Sequence, residues 1–230
     1  MQYSYFLAAL SAVSSAIAGP VTQTLAKRAS SAVTGTSTFY GGNLNGGMCS
    51  FSTYASLPSG IYGTAFSGSA WDTAAHCGAC IEVTGPNGNS ITAMIVDQCP
   101  ECDEGHLDLF EDAFKVLSPS SSDPLATSYT YTDCGITSPL ILHNKSGASA
   151  YWFSMQVLNA NGPVSKLEVS TDGGSTFQSV TRTEYNFFEY SSGFGDGAVT
   201  VRVTSESGTT VTVKDVDVAS DTQITAGSNF

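Results

Sequence analysis

Asp108 stands between two leucines in the stretch GHLDLFEDAF, residues 105–114, with His106 two positions before it. A carboxylate in such apolar company is either a helix cap or an acid. The cap has a pattern behind it. Asp-Leu-Phe-Glu fits a capping box, in which Asp108 accepts from the amide of Glu111 while Glu111 reaches back. As an acid, Asp108 would protonate a glycosidic oxygen. Inverting hydrolysis then needs a second carboxyl group about 6.5–9.5 Å away to activate water. Asp97, which ends the apolar run ITAMIV, is the other carboxylate in this half suited to the pair. Its ordinary alternative is a turn aspartate bonded to its own backbone. Nothing earlier contributes, because no Asp or Glu occurs between residues 29 and 71.

A different chemistry is written in the aromatics of the second half. Tyr151 and Trp152 are adjacent in SAYWFSMQV, and Tyr185, Phe187, Phe188 and Tyr190 follow in TEYNFFEY. Neighbouring strand residues face opposite ways. Either one of the pair is core, or a local irregularity turns both rings outward, where coplanar rings would stack on sugar faces. The alternative is that all of them are core, the commoner fate of aromatics in a β-sandwich.

The elements that must position these residues can be read from the pattern. CIEVTGPNGNSITAMIVDQC predicts strand, turn, strand around Gly85-Pro86-Asn87-Gly88. DLFEDAFKVL predicts a helix, with Leu109, Ala113, Val116 and Leu117 near helical spacing. After Cys134, short alternating segments at 151–157, 166–170, 177–180, 199–204 and 210–213, separated by Gly- and Asn-containing turns, predict a β-sandwich. Asn144-Lys145-Ser146 is a glycosylation sequon in what reads as an exposed connection.

The six cysteines lie at 49, 77, 80, 99, 102 and 134, all in the first half. Cys77-x-x-Cys80 and Cys99-x-x-Cys102 satisfy the spacing of a four-thiolate zinc site. The chain start argues against that reading. An apolar stretch followed by Ala16-Ile17-Ala18 reads as a signal peptide over 1–18. Lys27-Arg28 then reads as a dibasic processing site closing a propeptide over 19–28. An exported chain meets oxidising conditions, which favour disulfides, so no metal and no other cofactor is expected.

The 230 residues suffice for two domains, and the composition, 12% charged with 23 Gly, fits an extracellular all-β protein. The net charge is −12, and removing Lys27 and Arg28 makes it −12 − 2 = −14. Such a surface repels nucleic acid, anionic membranes and pectate, which leaves an uncharged polymer as the compatible partner. No later apolar run reaches the ~18 residues of a membrane span.

Taken together, the motifs resemble the expansin family, over nearly the whole chain from residue 29. Thr38-Phe39-Tyr40-Gly41-Gly42 resembles the TFYGG opening of plant expansins, Cys77-Gly78-Ala79-Cys80 their CGAC, and Val96-Asp97-Gln98-Cys99-Pro100 their T-D-x-C-P segment. His106-Leu107-Asp108-Leu109 resembles HFDL, a segment shared with family-45 endoglucanases, whose corresponding aspartate is the catalytic acid.

The resemblance implies an all-β protein, with a six-stranded double-psi β-barrel over 35–137, a linker over 138–146 and an immunoglobulin-like β-sandwich over 147–224. It implies that Asp108 is the aspartate needed for wall loosening, with Thr38, Tyr40 and Asp97 in the same groove. It also implies a sugar-binding platform of Tyr151, Trp152 and Tyr185, with Lys145 as a further contact. By the same resemblance Cys49 pairs with Cys77 and Cys80 with Cys134, which leaves Cys99 with Cys102.

The expected function is that of a secreted monomer that binds cellulose, or a related β-glucan or chitin, and loosens the network without hydrolysis. The barrel start, where family-45 enzymes carry their base, offers only Thr, Ser, Phe, Tyr and Gly. Two alternatives stand beside it: an endoglucanase or lytic transglycosylase using Asp108 as a lone acid, and a purely carbohydrate-binding wall protein.

Overall fold

The computed structural model describes residues 31–42, 44–54, 56–118 and 123–230. The signal peptide and propeptide readings lie outside the described residues. Six strands close a barrel: β1 (Val33–Tyr40), β2 (Ile61–Ser67), β3 (Cys80–Thr84), β4 (Ser90–Cys99), β5 (Leu107–Phe110) and β6 (Leu125–Thr132). They run in the circular order β1-β5-β2-β4-β3-β6. The β1–β5 and β2–β4 pairs are parallel and the rest antiparallel. β4 is buried along almost its whole apolar run, whereas β1 and β6 alternate, as strands with one wet face do. Phe66, Ile81, Met94, Ile95, Leu107 and Leu109 fill the interior.

The helix is shorter than the pattern predicts. Leu107 and Leu109 both point into the barrel and are fully buried, so period-two alternation carries β5 through Phe110. Only then does α1 (Glu111–Leu117) begin. Its N-cap is Phe110 and no side chain caps it. The capping-box reading of Asp108 is therefore corrected: the residue lies in a strand, three positions before the helix.

The second domain packs two sheets. One is ordered β10-β9-β13-β14 and the other β11-β12-β8-β7-β15. Their strands are β7 (Ile141–Asn144), β8 (Phe153–Leu158), β9 (Val164–Ser170), β10 (Gln178–Ser179), β11 (Thr181–Arg182), β12 (Phe188–Tyr190), β13 (Ala198–Ser205), β14 (Thr210–Asp217) and β15 (Gln223–Thr225). β7 falls inside residues 138–146, expected to be a linker. Leu140 and Leu142 are buried in the sandwich core, and that burial draws the segment into the sheet. Asn144 is likewise not exposed. It is 2% accessible, and its Nδ2, where a glycan would attach, donates to the carbonyl of Asp217 and to Thr222 Oγ1. The folded chain does not present this sequon.

All six cysteines are paired, as Cys49–Cys77, Cys80–Cys134 and Cys99–Cys102. The first bridge also ties the domains together, because the Cys49 carbonyl accepts from Gln156 Nε2 at 2.8 Å and from Asn186 Nδ2 at 3.2 Å. Trp71 Nε1 donates to the Glu184 carbonyl, and Arg182 donates to the Ala74 carbonyl across the same junction. No helix among the described residues is long and apolar enough to cross a membrane.

Candidate functional site

One row across the barrel sets the groove. Thr38 on β1 is registered against Asp108 on β5, Asp108 against Ala65 on β2, and Ala65 against Asp97 on β4. The two aspartates thus stand one strand apart on either side of Ala65, roughly 10 Å between their backbones at the usual strand spacing. Three of the four residues expected in the groove share this row, and Tyr40 joins it by its hydroxyl.

Asp97 is fully engaged. Its carboxylate accepts from the amides of Met48 and Gln98 at 2.7 and 2.8 Å, and from Tyr40 Oη at 3.2 Å. Burial, then the charge of Asp97, pushes the Tyr40 phenol far above its ordinary value, so it remains a donor. A carboxylate with three donors is poorly placed to take a proton from water, so the geometry gives Asp97 a bracing role between the barrel and the Met48 loop.

Asp108 is differently held. Thr38 Oγ1 donates to its Oδ1 at 2.7 Å. Thr38 has a single proton, so the 2.9 Å contact with His106 Nε2 requires that nitrogen to be the donor. His106 Nδ1 lies 3.1 Å from Thr36 Oγ1. A relay results, running Thr36, His106, Thr38, Asp108. Burial raises the Asp108 pKa above the usual carboxylate range, against the lowering pull of Thr38 and His106, and the charges of Asp123 and Glu101 raise it further. A carboxyl so raised is suited to holding and delivering a proton.

The relay depends on a close backbone approach. A Cβ on Gly35 would lie 2.2 Å from the Gly105 carbonyl oxygen, and Gly105 itself has φ +88°. These two glycines let the turn before His106 lie against β1, which brings the imidazole over Thr36 and Thr38. Gly35→Ala is expected to push that turn away, costing roughly 1–3 kcal/mol by overpacking and removing the His106 imprint on Asp108. Thermal unfolding and the pH dependence of activity would both register it.

Asp108 lines a cavity of about 420 Å3 together with Thr36, Thr38 and His106, and with Glu101, Asp103 and Glu104. The three acids sit on and just after the turn closed by Cys99–Cys102. The sequence reading sought a second carboxylate at the barrel start or at Asp97 and missed this loop. The run ECDEGH, directly before the HLDL segment, was the available signal. Among the described residues no group of His, Cys, Asp or Glu is placed to hold a metal ion.

The aromatic residues converge on Lys145. Its Nζ lies 5.8 Å from the Trp152 ring, 5.4 Å from Tyr185 and 5.7 Å from Phe187, all within cation–π range. Tyr185 is pinned by its hydroxyl, which donates to Glu189, and Ser154 donates to the same oxygen. Tyr151 and Trp152 precede β8 instead of starting it. They occupy a tight turn in which the backbones of Ser149 and Trp152 exchange hydrogen bonds, and this turn exposes both rings. Tyr151 is 78% exposed and Trp152 partly so. Phe187 and Phe188 are buried.

No family model matches the chain. Individual relatives do. Expansin-like protein 5 of Dictyostelium discoideum is 28% identical over 200 residues, spanning 84% of this chain and 83% of that protein. Expansin-YoaJ of Bacillus subtilis is 32% identical over 138 residues, spanning 60% of this chain and 58% of its own length. The crystal structure of Clavibacter michiganensis expansin superposes with a TM-score of 0.76 at 30% identity, covering 86% of this chain and 98% of that one. A mutant of that expansin has been solved in complex with cellohexaose, with the same overlap. With the closed barrel, the paired sheets and the Cys49–Cys77 and Cys80–Cys134 bridges arranged as the resemblance implies, the chain belongs to the expansin family.

Proposed function

We propose that this protein is secreted, binds cellulose or a closely related uncharged β-glucan along its aromatic shelf, and loosens the network without cleaving it. The observation that carries the reading is the convergence of Trp152 and Tyr185 on Lys145, a pre-set surface for the apolar face of a sugar ring. The complex of the Clavibacter relative with cellohexaose supports it. The net charge of −12 disfavours acidic wall polymers.

In the groove, the raised Asp108 carboxyl and the Thr38 hydroxyl offer hydrogen bonds to glucan hydroxyls. Each such bond competes with one between neighbouring chains, so a strand held by the shelf can be peeled without a change in covalent structure. The test is a pull-down on cellulose, chitin and xylan with product analysis on the same samples. Binding to cellulose and weakening of paper strips with no soluble sugar released is expected. Steady accumulation of oligosaccharides would sink the reading.

One observation favours a second reading. Glu101, Asp103 and Glu104 share the cavity with Asp108, so a carboxylate capable of activating water is at hand. If Glu101 serves as that base, slow hydrolysis of soluble β-glucan appears and is lost in both Asp108→Asn and Glu101→Gln. Under the non-hydrolytic reading, Glu101→Gln releases nothing and loosens as the parent does.

A further inference from the structure

The groove and the shelf leave a third opening, a cleft of about 440 Å3 at the junction of the domains. One wall is the barrel loop carrying Met48, Ser50 and Ser52, and the other carries His143, Lys145, Phe187 and Asp221. The loop wall is fixed at both sides. Met48 donates its amide to Asp97, and the Cys49 carbonyl is held by Gln156 and Asn186. The cleft is therefore pre-formed.

His143 supplies an independent sign of a ligand. Only 7% of the residue is exposed, and its Nδ1 is buried with no hydrogen-bond partner. Its registered neighbour across β7 and β8 is Gln156, whose Oε1 is in the same condition. Buried polar atoms without partners are rare in folded proteins and call for a physical reason. Burial also lowers the His143 pKa, which keeps the ring neutral and able both to donate and to accept.

The lining matches one kind of guest. The small exposed part of Phe187, the Lys145 ammonium, the Asp221 carboxylate and the Ser50 and Ser52 hydroxyls line the opening, a little apolar surface ringed by donors and acceptors, which suits a sugar ring. Lys145 and Asp221 balance in charge, so the guest is uncharged. The volume falls in the small-ligand range of about 300–1,000 Å3, room for a monosaccharide but not for a polymer. Lys145 belongs to the shelf as well as to the cleft. Because Lys145 is common to both, a main chain lying on Trp152 and Tyr185 would run close to the mouth, where a substituent on it could enter.

We infer that the junction cleft is a subsite for a neutral monosaccharide branch borne by a β-glucan main chain that lies on the shelf. The inference rests on the polysaccharide-binding reading and goes beyond it in selecting branched chains over plain ones.

Calorimetric titration with an unbranched cello-oligosaccharide and with a xyloglucan oligosaccharide of the same main-chain length tests it. The branched ligand is expected to bind about tenfold more tightly. Ser52→Trp, at an exposed rim position of the cleft, should erase that preference and leave unbranched binding and thermal unfolding unchanged. Asp221 has φ +58°, which asparagine tolerates, so Asp221→Asn should keep the fold and reduce the preference about threefold. Equal affinities in the parent, or a preference that survives both substitutions, would overturn the cleft assignment while leaving the shelf intact. Binding of neither ligand by the parent would remove both readings together.

Discussion

Asp108→Asn is expected to lower loosening of cellulose paper by between about ten- and a hundredfold, the loss of one hydrogen bond to a charged or proton-sharing group, while cellulose binding stays unchanged. The amide is isosteric and still accepts from Thr38, so the row across the barrel keeps its geometry. What it lacks is a titrating proton. Creep under constant load, set against a binding isotherm on the same preparation, separates the two quantities. Loosening that survives the substitution would leave the groove without a role and would favour a protein that only binds.

The same substitution has a signed effect on stability. Burial raises the Asp108 pKa in the fold above its unfolded value, so the folded state favours the protonated form. That contribution is present below the unfolded pKa and is lost as pH rises through the folded one. At neutral pH the parent carries a desolvated carboxylate that the Asp108→Asn variant does not, so the variant should unfold no earlier than the parent. Near pH 3 the advantage should vanish. Loosening by the parent should follow the protonated fraction and decline as pH rises, and the residual activity of Asp108→Asn should be flat. Stability and activity moving in opposite directions at one residue is the behaviour of a functional group, since a purely structural aspartate would lose both.

Much of this site was legible beforehand because it depends on short range. TFYGG, CGAC and HLDL each fix a residue on a strand or beside a bridge, and strand alternation then settles which way it points. The failures share a cause too. DLFEDAF fits a helix from Asp108 onwards until the interior of the barrel claims Leu107 and Leu109, a demand made by residues far away in sequence. The linker over 138–146 failed in the same way, when the sandwich core took Leu140 and Leu142. Glu101, Asp103 and Glu104 are brought around Asp108 only by closure of the barrel. The cleft was invisible, because its walls come from segments some hundred residues apart that meet through the Cys49 carbonyl.

Trp152→Ala should weaken binding to crystalline cellulose by roughly thirtyfold. A sugar ring on one indole face covers on the order of 80 Å2 of apolar surface, worth about 2 kcal/mol at ~25 cal/mol/Å2. The ring is held ready in the free protein by the turn from Ser149 and by Lys145, so little ordering cost offsets that gain. Tyr185→Ala should follow with a smaller loss, because its ring is smaller and only its exposed part can stack. Tyr151→Ala should matter least, because a ring 78% exposed must be ordered on binding. Lys145→Met separates charge from packing, since it keeps an unbranched stem among Trp152, Tyr185 and Phe187 but removes the ammonium. Depletion isotherms on cellulose for the four variants should rank Trp152 first, then Tyr185, then Tyr151. Lys145→Met should bind plain cellulose within about threefold of the parent, if stacking outweighs hydrogen bonding on the shelf. An unchanged isotherm for Trp152→Ala would move polysaccharide binding off this face of the sandwich altogether.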